Sequence, residues 1–230
     1  MFYIGDKKTV NKIIIFSAVL LSVTMTCIGA LSDMSIMEVY KNIEAKSEVN
    51  TPESYKVNVE NDKFREALAD LPEEILTGEG EPSVLVHFRK GEGVNITIEN
   101  IDEEYASIFS YIEDYFQFSG ISKVQNPVEF KEIIDMGKVE LYKENEDSII
   151  VKAWDPEKEE KDDNFALFYL DKNNWVITKA RYFLDGNPFV EAENCYKNYG
   201  KFYMPYKIVL TSLNEESTDE FIFKEYRFNK

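Results

Sequence analysis

Phe165-Ala166-Leu167-Phe168-Tyr169-Leu170 opens the stretch whose reading decides the fold. Trp175-Val176-Ile177-Thr178-Lys179-Ala180-Arg181-Tyr182-Phe183-Leu184 follows, then Tyr203-Met204-Pro205-Tyr206-Lys207-Ile208-Val209-Leu210 and Phe221-Ile222-Phe223-Lys224-Glu225-Tyr226-Arg227-Phe228. Each segment is rich in β-branched and aromatic residues. Short turn clusters separate them at Asp171 to Asn174, Asp185 to Pro188 and Asn214 to Ser217. The pattern predicts antiparallel strands joined by hairpins into one continuous curved sheet, whose apolar face needs a cover. The aromatics exceed what one plain core uses. Two covers are therefore weighed: the protein's own helices alone, or helices together with an apolar ligand.

The first half supplies the helices. Ser35 to Lys46 places Ile36, Val39, Tyr40 and Ile43 at helical spacing. Pro52 ends that pattern, and Ser54 to Glu60 alternates as a first strand. Asp62 to Leu71 predicts a helix with Phe64, Leu68 and Leu71 on one face, stopped by Pro72. Ser83 to Arg89 and Val94 to Glu99, joined through Gly91-Glu92-Gly93, predict a hairpin. Asp102 to Phe118 is the clearest helix, capped by Asp102 and carrying an aromatic stripe that includes Tyr105, Phe109, Ile112 and Phe116. Another short helix is expected from Asn126-Pro127 to Ile134, and from Lys138 the period is that of strands. Asp155 to Asn164 is a charged connecting loop. With no internal repeat, the chain reads as a single α+β domain over residues 33–230.

The N-terminus has its own signature. Lys7, Lys8 and Lys12 precede Ile13-Ile14-Ile15-Phe16-Ser17-Ala18-Val19-Leu20-Leu21, and no charge follows until Asp33. Small residues at Ile28-Gly29-Ala30 or Ala30-Leu31-Ser32 offer cleavage sites, so residues 1–32 are expected to be a secretory signal peptide. Two rivals stay open. One is an uncleaved anchor, since the uncharged run is about long enough to span a bilayer. The other is acylation at Cys27, although Thr24-Met25-Thr26 lacks the usual small residue before it. In each case the folded part is exported.

The formal net charge is −17 at pH 7. Taking away the basic leader leaves about −19, which repels nucleic acid and anionic headgroups. After cleavage Cys195 stands alone, so no intramolecular disulfide can form. Catalytic chemistry is equally sparse. His87 is the one histidine, no nucleophile-elbow pattern is present, and Cys and His are too few for a zinc site. The acidic run Asp155 to Asn164 does not fit an EF-hand loop and is interspersed with lysines, as a solvated hairpin tip would be. Neither catalysis nor a metal or other cofactor is expected.

Three stretches carry a resemblance. Asn198-Tyr199-Gly200-Lys201-Phe202-Tyr203-Met204-Pro205-Tyr206-Lys207-Ile208 is similar to the late hairpin of the LolA-like family of periplasmic lipoprotein carriers, with its "P-x-K-I" segment. Phe221 to Asn229 resembles that family's closing strand, and Met37 to Ile43 its first helix. The resemblance implies an incomplete β-barrel, in which a strongly curved antiparallel sheet is covered by a helical lid and the hollow takes up acyl chains during lipoprotein sorting. Family carriers that lock the lid with an arginine place it on an early strand, whereas Ser54 to Glu60 contains none.

The expected function is therefore an exported, monomeric, non-catalytic carrier or sensor of lipid or lipoprotein acyl chains, in the periplasm or anchored to the outer face of the inner membrane. The alternative is an envelope protein-interaction module with the same fold and a filled core. The expected ligand-binding residues are Phe109, Ile112 and Phe116 from the lid, with Trp154, Phe168, Trp175, Met204 and Tyr206 from the sheet.

Overall fold

The computed structural model describes residues 34–77, 80–106, 118–154 and 163–229. These belong to one compact unit, Met34–Lys230. Helix α1 (Ile36–Asn50) starts with a reciprocal cap: Ser35 Oγ accepts from the Glu38 amide at 3.3 Å, and Glu38 Oε2 accepts from the Ser35 amide at 2.6 Å. Its buried stripe is Val39, Tyr40, Ile43 and Ser47, an apolar face with one polar residue whose use emerges at the site. Strand β1 (Ser54–Glu60) follows, and α2 (Asp62–Ala69) is capped by Asn61, whose Oδ1 accepts from the Phe64 amide at 3.1 Å. Strands β2 (Ser83–Arg89) and β3 (Gly93–Glu99) form the predicted hairpin, with Val84, Val86 and Phe88 opposite Ile98, Ile96 and Val94.

Helix α3 (Glu103–Ala106) begins where the long aromatic helix was expected, and residues 107–117 of that expectation lie outside the described residues. A helix that sequence reading did not single out, α4 (Ile121–Gln125), precedes α5 (Pro127–Asp135), where Pro127 sits in the first turn as its missing N–H allows. Seven strands then run to the C-terminus: β4 (Val139–Glu144), β5 (Ser148–Trp154), β6 (Phe165–Asp171), β7 (Ile177–Leu184), β8 (Asn187–Tyr199), β9 (Phe202–Ser212) and β10 (Ser217–Asn229).

All ten strands form a single antiparallel sheet in the order β3-β2-β1-β10-β9-β8-β7-β6-β5-β4. The last seven make a meander, and the N-terminal strands join it through β1, which pairs with the closing strand β10. Among the described residues β3 and β4 each pair on one side only, so the sheet is open. Five of the strand pairs carry a register shift. Bulges of this kind bend a strand and increase its twist, so the sheet curves instead of lying flat.

One hydrophobic cluster joins the inner face of the sheet to the helices, drawing on Val39, Tyr40 and Ile43 of α1, Phe64 and Leu68 of α2, Ile121 of α4 and Phe130 of α5. The described helices thus pack on the apolar face of the sheet. The fold is α+β, an open, curved antiparallel sheet with helices packed on it.

Candidate functional site

The segment between residues 118 and 125 is tied down from three directions. Asn194, buried on β8, donates from Nδ2 to the carbonyls of Ser119 and Ile177, each at 2.8 Å. Gly120 has φ 68°, and a Cβ there would lie 2.9 Å from the Phe168 ring. Only glycine takes this left-handed position and still lets the backbone sit on the sheet. Ser47 of α1 donates to the Gln125 carbonyl at 3.1 Å. The buried serine of α1 is therefore a strut that holds α4 in place.

Between α4 and the β1–β2–β3 end of the sheet lies a cavity of about 100 Å³. Val86, Val94, Ile96, Ile121 and Phe223 form its apolar wall. Tyr55, Ser119, Ser122 and Gln125 form a polar end, and Pro205 completes the lining. The Tyr55 hydroxyl donates to Gln125 Oε1 at 2.9 Å, and its ring stacks on Phe88 with centroids 5.0 Å apart. Burial pushes the Tyr55 phenol well above its ordinary pKa, so it stays a neutral donor. Strand β1, which lacks an arginine, makes its link to the helical segment through this uncharged pair. Among the described lining residues there is no Lys, Arg or His. Edge strand β3 covers the outer side incompletely: Val94 is 37% exposed and Ile96 is half-buried.

The residues named from sequence are distributed differently. Phe109, Ile112 and Phe116 lie outside the described residues. Phe168 and Met204 are buried in the core cluster, with Phe168 edge-on to Tyr182 at 6.0 Å. Trp175 is also in that cluster and lines a smaller void of about 10 Å³ with Ser47, Asn174, Gln125, Tyr196 and Tyr203. Trp154 and Tyr206 are half-buried, and Lys197 Nζ stands 5.2 Å from the centre of the Tyr206 ring. Phe168, Trp175 and Met204 are thus brought into one cluster, and no described member of the set lines the larger cavity. Tyr55, Ser122 and Gln125 were not singled out from sequence.

His87 faces across the β2–β3 hairpin, its Nε2 3.2 Å from Thr97 Oγ1. Burial and the nearby Lys56 ammonium hold its pKa below the usual value. Among the described residues no carboxylate hydrogen-bonds it, and no three Cys, His, Asp or Glu side chains gather as a metal site would require. No described helix is long and apolar enough to cross a membrane.

No protein-family model matches the chain, and no curated protein matches it in sequence. Solved structures do match in three dimensions. A domain from Vibrio parahaemolyticus named for outer membrane lipoprotein sorting is 11% identical, with 84% of this chain and 92% of that chain covered at a TM-score of 0.51. A DUF1329 family protein from Desulfovibrio piger is 10% identical, covering 85% of this chain and 93% of its own at a TM-score of 0.44. A LolA superfamily protein from Nitrosomonas europaea is 11% identical, covering 86% and 94% at a TM-score of 0.42. The likeness to the Vibrio domain bears out, at the level of the fold, the resemblance read from the late hairpin and closing strand.

Proposed function

We propose that this chain is an exported, non-catalytic carrier or sensor that binds acyl chains of lipids or lipoproteins, with the helices acting as a lid over the curved sheet. The observation that carries the reading is the cavity at the β3 end, a void with an apolar wall and one polar end beside a half-covered edge strand. Its volume of about 100 Å³ compares with engineered apolar cavities of about 150 Å³ that take up benzene. In the conformation described it has room for part of one chain, and each CH₂ buried there contributes about 0.8 kcal/mol. A longer chain enters as the tethered 118–125 segment lifts, because that segment forms the inner wall. The lipoprotein-sorting name of the Vibrio domain that shares the fold supports the same class of cargo. On this reading the protein works as a monomer in the periplasm or tethered to the outer face of the inner membrane, handing cargo between envelope partners.

The test is to purify the protein from its own cell envelope, extract it with organic solvent and identify bound species by mass spectrometry. A stoichiometric acylated molecule is expected. A lipid-free protein that also ignores an apolar fluorescent probe overturns the carrier reading.

A second reading has its own observation. Phe168, Trp175 and Met204 are buried within the core cluster, so the middle of the sheet is filled by the protein itself. An envelope interaction module with a filled core expects the lipid-free, probe-silent result.

A further inference from the structure

Gln125 is 4% exposed, yet its hydrogen bonds account for only part of its side chain. Its Oε1 accepts from Tyr55 and its carbonyl from Ser47. The side-chain NH₂ has no partner among the described residues, although the residue borders both voids. The fully buried side-chain polar atoms without a partner among the described residues are Asn58 Oδ1 and Asn194 Oδ1, so the Gln125 NH₂ is not sealed in protein and can meet an acceptor that enters the void. Ser122 stands three residues earlier on α4, on the same side of the helix. It too lines the cavity, and its hydroxyl has no partner among the described residues. Two donors without partners therefore border one end of a void whose other wall is Val86, Val94 and Ile96.

Resting on the carrier reading, we infer that this end of the cavity recognises an uncharged acceptor, the ester or amide carbonyl of an acyl chain, and discriminates against a free carboxylate or phosphate. The two donors match carbonyl lone pairs. An anion would have to give up its water where no described lining residue is cationic, inside a chain of formal charge −17. A desolvated carboxylate without a positive partner is disfavoured and takes up a proton instead. The site thus reads an acylated molecule and rejects the free fatty acid that its hydrolysis would release.

The experiment is displacement of an apolar fluorescent probe from the lipid-stripped mature protein by monolauroylglycerol and by laurate, which share one chain length. At neutral pH the ester is expected to displace the probe at least about tenfold more effectively. The gap closes as the pH falls and laurate becomes the neutral acid. Ser122→Ala is expected to weaken ester binding by about three- to tenfold, the effect of one neutral hydrogen bond. Gln125→Glu keeps the acceptor for Tyr55 and removes the donor, so it should weaken the ester further. Equal affinity for laurate and ester at neutral pH overturns the inference and leaves the carrier reading standing. So does unchanged ester affinity in a folded Ser122→Ala protein, which decides the matter if Gln125→Glu does not fold. Failure of the protein to take up probe, ester or acid overturns the carrier reading, and the inference with it.

Discussion

At the scale of single residues, Glu225 and Trp175 share a left-handed backbone and owe it to different causes. Glu225, exposed on β10, has φ 58° because two residues, Glu225 and Tyr226, oppose Val57 where the β1–β10 register shifts. That is a bulge position where glycine fits best. Its side chain returns little, a 3.3 Å hydrogen bond from Asn58 and an exposed ion pair with Arg227. Relief of the Cβ clash is worth about 1–2 kcal/mol, partly offset by the freedom glycine adds to the unfolded chain. Glu225→Gly is therefore expected to raise stability by about 0.5–1 kcal/mol in denaturant unfolding. Trp175 has φ 55° but is only 8% exposed, with its amide donating to the Asp171 carbonyl at 2.8 Å to close the hairpin. Here burial outweighs strain. Trp175→Gly gains the same backbone relief and loses a large buried side chain worth about 3–5 kcal/mol, so stability should fall by about 2–4 kcal/mol. One substitution with two opposite signs separates conformational strain from packing.

At the scale of elements, β8 shows how much of the fold was legible. The segments written in Phe, Tyr, Ile and Val could be read because their alternation is what burial selects. Their extents then shifted for local reasons: β7 begins at Ile177 because Trp175 is spent on the loop. Asn187–Tyr199 is among the longest strands, yet Glu191, Glu193, Lys197 and Asn198 interrupt any apolar period, and its inward Ala192 and Asn194 are small or polar. It is a strand because β7 and β9 satisfy its backbone on both sides, a tertiary cause that composition does not carry. The candidate site was illegible for a related reason. Aromatic type predicts burial, as Phe168 and Trp175 bear out, whereas a void arises from where Gln125 and β3 come to rest.

The same strand predicts a pH response. Burial alone would raise the Glu191 pKa, but hydrogen bonds from Lys179 and Arg181 on the neighbouring β7 outweigh it and hold the carboxyl below its ordinary value. A carboxyl with a lower pKa in the folded than in the unfolded state adds stability above its unfolded pKa, and loses it as pH falls through the folded one. Glu191→Gln should accordingly lower Tm at neutral pH and flatten the fall of Tm in that acidic window. A wild-type slope retained in the variant would assign the acid sensitivity to other carboxylates.

At the scale of the molecule, the two ends of the sheet differ in what they leave open. The β4 end continues into β5, whose Ile149 and Val151 are fully buried, while the β3 end retains the cavity and the half-covered Ile96. Val86 faces that cavity, opposite Ile96 and 2% exposed, so enlarging it tests whether the void is a binding site or a packing defect. Val86→Phe should place its ring in the void and raise stability by about 0.5–2 kcal/mol, as cavity filling commonly does. It should also abolish the ligand's own stabilisation, which for the wild type amounts to about 2.7 kcal/mol at a hundredfold excess over Kd. Thermal unfolding of both proteins with and without monolauroylglycerol reads the two effects together. A variant that is stabilised and no longer responds to the ester places the acyl chain in this cavity. A variant that responds like the wild type moves the chain elsewhere on the sheet. A loss of about 1–3 kcal/mol, the signature of overpacking, would mean that no usable space exists at the β3 end and that the helices alone close this sheet.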